Sequence, residues 1–209
     1  GQSFDDSTLA SIGRKHNCSQ LIQACNWLNN FFKKGIIKSW SLDLIQNLPG
    51  LNLSKWIKEL EQAVDTEAPH LSIYDLTIEP GTVFGRIHKK GKLNIPIESE
   101  AQKIDFETNR FLKSRGFSRY EISSYSLPGH ASRHNRVYWS GSGWWGFGMG
   151  ATSAPWGERF TRPRTIAGYK KWLKQQESQL SEKVLCNEKS QPMPLDELLM
   201  IGLRRREGV

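Results

Sequence analysis

The chain has 209 residues, 37% of them apolar and 24% charged, and a formal net charge of +8. That apolar share supplies a core and excludes an intrinsically disordered polymer, and the length allows one domain, or one domain and part of another. No apolar run approaches a membrane span and no charged-then-apolar leader opens the chain, so a soluble, cytoplasmic protein is expected.

In chain order, Gln2-Ser3-Phe4 reads as the end of a strand. Residues 5–12 read as a helix, with Ser3 and Asp6 forming a capping-box signature. A second helix over 19–34 carries Leu21, Ile22, Cys25, Leu28 and Phe32 on one face. Residues 40–45 form a strand closed by Asn47-Leu48-Pro49-Gly50, and a helix over 54–64 shows Trp56, Ile57, Leu60 and Val64 on one side. The next strand, 70–78, is turned by Glu79-Pro80-Gly81-Thr82. Strand, helix, strand with short links is a βαβ unit, which implies a parallel sheet with helices outside it, in a barrel-like or doubly wound α/β fold. A long loop over 83–97 and a helix to residue 115, capped by Ser99 and Gln102, follow. Short strand-like pieces are expected at 120–125 and 145–149, then a helix at 169–180 and a helical segment at 195–203. The expected division is thus 1–97, the later part of an α/β barrel, and 98–209, an α+β extension. Both ends read as cut.

The three cysteines, Cys18, Cys25 and Cys186, are odd in number and contain no CxxC pair, so a disulfide framework is not expected. The basic residues are scattered (Lys33-Lys34, His88-Lys89-Lys90, Arg159, Arg162, Arg164, Lys170-Lys171, Lys174, Arg204 to Arg206) rather than gathered on one groove. That pattern argues against nucleic acid and leaves an acidic small ligand open. Gly141 to Gly146 fits GxGxxG, and Gly146 to Ala151 fits its GxGxxA variant. A dinucleotide site needs a helix to start there; Pro155 and Gly157 follow instead, and the nearest acid, Glu158, is too close.

Asp43 sits inside an apolar strand, where it is either satisfied by neighbouring donors or faces a site near a strand's carboxyl end. The stretch from Pro128 to Trp139 gathers His130, His134, Arg133, Arg136, Tyr138 and Trp139 in an expected loop. Imidazole ligates iron, guanidinium pairs with carboxylates and flat rings cover a porphyrin face; the plainer reading is a hydrogen-bonded anchor over core aromatics. No GxSxG elbow and no spaced pair of carboxylates indicates ordinary nucleophilic or acid–base catalysis.

Taken together, these segments resemble one family. Gln2-Ser3-Phe4-Asp5-Asp6 with Gly13-Arg14-Lys15-His16, Ser41 to Ile45 with Leu48-Pro49-Gly50, and His70 to Thr77 with Glu79-Pro80-Gly81-Thr82 look like consecutive barrel strands of the oxygen-independent coproporphyrinogen-oxidase-like radical-SAM proteins. Tyr120-Glu121-Ile122-Ser123, Pro128-Gly129-His130, His134 to Trp139, Gly146 to Ala151 and the final Gly202-Leu203-Arg204 continue the match.

The resemblance implies a partial (β/α) TIM-type barrel that binds a 4Fe-4S cluster and S-adenosylmethionine. It places Gln2, Arg14 and Asp43 against S-adenosylmethionine, with Thr77 lining the same pocket. The HNxxYW pattern at His134 to Trp139 resembles the haem-chaperone branch of the family. That branch binds haem and passes it to respiratory proteins. It makes His134 the expected haem-iron ligand, with Trp139 shaping the site and His130 as a second candidate. The alternative within the family is an oxygen-independent coproporphyrinogen III oxidase of porphyrin biosynthesis.

The family's CxxxCxxC cluster loop is not among these residues and is expected upstream of Gly1. The chain alone is therefore expected neither to hold the cluster nor to cleave the cofactor. Ser124, Thr152 and a lengthened 31–39 segment depart from the family pattern, and a homodimer is left open.

Overall fold

The computed structural model describes residues 1–155, 157, 159–181 and 193–208. It forms two compact units, Gly1–Ala131 and Ser132–Val209.

The first unit opens with α1 (Asp6–Ser11) and α2 (Cys18–Lys33). Asp5, rather than Ser3, caps α1 by accepting from the Thr8 N–H, because the Ser3 hydroxyl is donated to buried Glu59 at 2.6 Å. On α2, Asn17 and Gln20 form a reciprocal capping box. Leu21 and Cys25 are buried, whereas Ile22 and Leu28 of the expected apolar face are exposed.

Strand β1 (Ser41–Gln46), helix α3 (Leu53–Asp65) and strand β2 (His70–Asp75) make the expected βαβ unit. The two strands pair in parallel from Ser41↔His70 to Gln46↔Asp75. Gln2 adds a parallel bridge to Leu44 on the outer side of β1, donating its N–H to the Asp43 carbonyl at 2.6 Å. Residues 76–78, expected to extend the second strand, fall outside it.

Helix α4 (Val83–Lys89) occupies the first part of the expected 83–97 loop and is capped by Thr82. Helix α5 (Glu98–Ser114) begins at Glu98, where the Glu100 carboxylate accepts the Ile97 N–H at 3.1 Å; Ser99 and Gln102 do not cap it. Strands β3 (Ser118–Glu121) and β4 (Ser124–Ser126) then turn back antiparallel, giving the sheet order β1-β2-β4-β3. Leu42, Leu44, Leu71 and Ile73 of the parallel pair join Trp56, Leu60 and Ala63 of α3 and Ile104 and Leu112 of α5 in one core. Each fully buried large side chain of this kind contributes about 1.5–3 kcal/mol.

The second unit starts with α6 (Arg133–Trp139), capped by Ser132. This helix replaces the loop expected there: Ser132 accepts the Asn135 N–H at 3.2 Å and so fixes the first turn. The expected strand at 145–149 is absent. Instead Trp144 bridges Ala154, and β5 (Thr152–Ser153) pairs with β6 (Phe160–Thr161). The glycines here serve close backbone approach. A Cβ at Gly143 would stand 2.3 Å from the Pro155 carbonyl oxygen, and one at Gly146 would stand 2.3 Å from that of Thr152. Helices α7 (Ile166–Ser181) and α8 (Leu195–Gly202) complete the unit. Cys186 and Glu158 lie outside the described residues. Among the described residues no helix is long and apolar enough to cross a membrane.

Candidate functional site

The sheet of the first unit has two chemically different faces. Leu42, Leu44 and Gln46 alternate toward the helices, so Ser41 and Asp43 point to the opposite side, and Asp43 is exposed there. Parallel register sets His70 beside Ser41 and Ser72 beside Asp43. A chain of hydrogen bonds follows. His70 Nδ1 lies 2.7 Å from the Ser41 hydroxyl and Nε2 lies 2.7 Å from the Tyr120 hydroxyl, while Ser41 also contacts Ser72 at 3.3 Å. His70 is only 3% exposed. Burial holds its pKa below the ordinary 6.5, against the upward pull of Glu121 and Asp43 and with a small downward push from His130. It is therefore a neutral imidazole with one donor and one acceptor, both used. Serines on β4 continue the polar face, Ser124 opposite Ser72 and Ser126 opposite His70. This array escaped the sequence reading. The available signal was a shared alternation, since Ser41 and Asp43, His70 and Ser72, and Ser124 and Ser126 each occupy every second position.

Gln2 is held beside β1 with φ 86°, its carbonyl accepting the Ile45 N–H at 3.1 Å. Arg14 is exposed just after Gly13, whose φ of 75° turns the chain out of α1. Gln2 and Asp43 thus share one region of the sheet, through the bond from the Gln2 N–H to the Asp43 carbonyl. Thr77 is exposed beyond the end of β2. A cavity of about 630 Å³ opens where β1 and β2 end, with Asn47, Asp75, Ile78, Gln102 and Phe106 in its wall. Asp75 is fixed there by Gln46 Nε2 at 2.9 Å and Asn47 Nδ2 at 2.6 Å. None of Gln2, Arg14, Asp43 and Thr77 lines it.

His130 belongs to the first unit, where its Nδ1 lies 3.0 Å from the Ser39 hydroxyl and its ring meets Phe32 edge-on. His134 and Trp139 belong to the second unit, on α6. His134 is exposed, and Tyr138 one turn later meets its ring edge-on with centroids 4.9 Å apart. Tyr138 in turn touches Trp144 at 4.9 Å, and the Arg204 guanidinium lies over Trp139 at 4.8 Å. An imidazole presented this way can take one axial position on a haem iron, with aromatic rings beside it.

Cys18 and Cys25 are free thiols and on their own fall short of the four thiolates that hold a 4Fe-4S cluster. Among the described residues no three His, Cys, Asp or Glu side chains could hold a metal ion together. The donor set at Gln2, Arg14 and Asp43 does suit S-adenosylmethionine: a carboxylate accepts from ribose hydroxyls and a guanidinium pairs with a carboxylate.

No family model matches the chain. It is 40% identical over 210 residues to the "Heme chaperone HemW" of Synechocystis sp., covering 100% of this chain and 49% of that protein. The protein of the same name from Lactococcus lactis is 31% identical, with coverage of 100% and 52%. "Radical S-adenosyl methionine domain-containing protein 1, mitochondrial" of Danio rerio is 30% identical, with coverage of 100% and 47%. The chain spans about half the length of the curated relatives it matches. In fold it is similar to coproporphyrinogen III oxidase (HemN) from Escherichia coli, a radical SAM enzyme, with TM-score 0.62 and 17% identity over 88% of this chain and 42% of that one.

Proposed function

We propose, from the premise that this chain belongs to the radical-SAM family of HemW haem chaperones and HemN-like coproporphyrinogen oxidases, that it is part of a haem chaperone. Its α/β sheet is the corresponding part of the radical-SAM barrel. In this reading residues 1–97 are the later barrel strands and 98–209 the extension that serves haem.

The observation that carries the reading is α6, which turns the HNRVYW stretch into a capped helix with an exposed His134 braced by Tyr138. His134 supplies the axial bond to iron, Trp139 bounds the site, and His130 is the second candidate. A single exposed imidazole suits cargo that must be handed on to a haem-accepting protein. Gln2, Arg14, Asp43 and Thr77 are assigned to S-adenosylmethionine in the complete protein. When bound there with the cluster, that cofactor supplies radical chemistry. This chain's part is to orient it: Asp43 accepts from ribose hydroxyls, Arg14 meets the carboxylate, and the paired backbone of Gln2 holds the strand beside them.

The test is a haemin titration of the chain followed in the Soret band, with circular dichroism to verify folding. His134→Ala is expected to weaken saturable binding about tenfold or more, and His130→Ala to leave it nearly unchanged. A folded chain whose Soret band shows no saturable change would overturn the assignment of haem to these residues. Conversion of coproporphyrinogen to protoporphyrinogen by the complete protein would replace the chaperone reading with the oxidase one.

A further inference from the structure

None of the residues that the first unit lends to haem or to S-adenosylmethionine lines the cavity of about 630 Å³ at the carboxyl ends of β1 and β2. Its volume lies in the range of small-molecule sites. Its charge runs against that of the chain. Within a formal net charge of +8, the wall holds three carboxylates, Asp75, Glu98 and Asp105, and among the described residues no lysine, arginine or histidine. Ile78 and Phe106 supply an apolar side, and Phe106 is 65% exposed.

Hydrogen bonds fix the inner end of this wall and leave acceptors over. Asn47, at φ 60°, donates from Nδ2 to Asp75 Oδ1 at 2.6 Å, and Gln46 Nε2 donates to the same oxygen at 2.9 Å. The Oδ1 of Asn47 is buried, and among the described residues no donor reaches it. A buried acceptor in that state is costly until a donor meets it. Asp105 pairs with Arg119 at 2.9 Å, whereas Asp75 and Glu98 have no cationic partner among the described residues. The carboxylates are also too dispersed to close on one ion, since among the described residues no three His, Cys, Asp or Glu side chains could hold a metal together.

Carboxylates and an amide oxygen accept hydrogen bonds, so a ligand here must bring N–H donors and positive charge. Dispersed acceptors suit a group with several N–H bonds, and a phenyl ring beside them suits a cation on an apolar body. We infer that this cavity is a binding site for a small organic cation, an amidinium, guanidinium or ammonium group on an apolar body. Asp75 and Glu98 supply the counter-charge, Asn47 Oδ1 accepts one further N–H, and Phe106 and Ile78 cover the apolar part. The site is separate from the haem reading and goes beyond it.

The full chain is titrated calorimetrically with benzamidine and with phenylethylamine, and with benzoate and benzyl alcohol as an anion and a neutral molecule of similar size. One saturable site is expected for each cation, with both controls about tenfold weaker or more. Asp75→Asn keeps an acceptor for Gln46 and Asn47 but removes the charge, and is expected to weaken the cations about tenfold. Glu98→Gln and Phe106→Ala alter exposed side chains, and circular dichroism verifies that all three variants fold. Glu98→Gln should weaken the cations several-fold and leave benzyl alcohol unchanged, whereas Phe106→Ala should weaken both. Added salt should weaken the cations more in the wild type than in Asp75→Asn. Cations that bind no tighter than benzyl alcohol, or bind the folded Asp75→Asn and Glu98→Gln variants as well as the wild type, would overturn the inference. So would a folded chain that gives no saturable heat with either cation. Haemin binding should be the same in all of these variants, and its absence from the wild type would defeat the haem reading while leaving this inference standing.

Discussion

The ring of His70 has both nitrogens occupied, by Ser41 and Tyr120, and burial keeps it neutral. Its folded pKa lies below the unfolded value, so in that interval the unfolded chain binds a proton the folded chain refuses. Stability from this group is complete above the ordinary 6.5 and is lost as pH falls through the folded value. The urea midpoint of the chain is therefore expected to drop between about pH 7.5 and about pH 5.5. His70→Gln is expected to flatten that drop while costing about 1–3 kcal/mol at the upper pH, through polar groups left without their partner. Glu59 works in the opposite sense. Burial raises its pKa despite bonds from Ser3 and the Phe4 N–H, so its contribution is lost as pH rises. The difference between wild type and His70→Gln isolates the histidine; a wild-type midpoint falling no further than the variant's would refute the assignment. At this scale the sequence was only partly legible. Asp43 stood out because a carboxylate interrupts Leu42 and Leu44, and the strand's two faces resolve that conflict. His70 did not stand out, because its second partner, Tyr120, is 50 positions away and no spacing rule reaches that far.

Between elements, α3 and α5 are joined by the bond from Trp56 Nε1 to the Thr108 hydroxyl at 2.7 Å, which in turn donates to the Ile104 carbonyl at 2.7 Å. Both side chains are fully buried. Thr108→Val keeps the shape but strands the indole donor, so it is expected to destabilise the chain by about 1–3 kcal/mol, while Thr108→Ser retains most of the bond. Chemical denaturation followed by tryptophan emission measures both, and equal losses would mean that packing, not the hydrogen bond, is what Thr108 provides. The long helices were readable because two or more turns of apolar spacing were present. α4 and α6, seven residues each, were not, since so short a segment shows no convincing period. Their caps were the available signal: Thr82 accepts the Gly85 N–H at 3.0 Å and Ser132 accepts the Asn135 N–H. In both cases the adjoining Pro-Gly pair pointed to a loop instead.

Across the whole molecule, the resemblance stated from motifs agrees with relatives at 30–40% identity and with the radical-SAM fold of the oxidase. The α/β half was legible because a parallel pair with its crossover helix is a local device. The 140–155 stretch was not, because its order comes from bridges such as Trp144 to Ala154 rather than from periodicity. Among the described residues no three His, Cys, Asp or Glu side chains come together, which leads to one expectation for the molecule as a whole. Anaerobic reconstitution of this chain with iron and sulfide should leave no cluster absorbance near about 400 nm, whereas stoichiometric four-iron loading would show that ligands of this chain suffice.

The placement of β4 against β2 has a further consequence. Ser41 and His70, partners across the parallel pair, are 29 positions apart, whereas His70 and Ser126 are separated by roughly twice that length of chain. Because closure entropy grows only with the logarithm of loop length, that doubling costs about 0.6 kcal/mol. The connection carrying α4 could lengthen or shorten over evolutionary time with little thermodynamic resistance. Insertions and deletions between homologues should therefore accumulate there, while the span from β1 to β2 keeps a constant length.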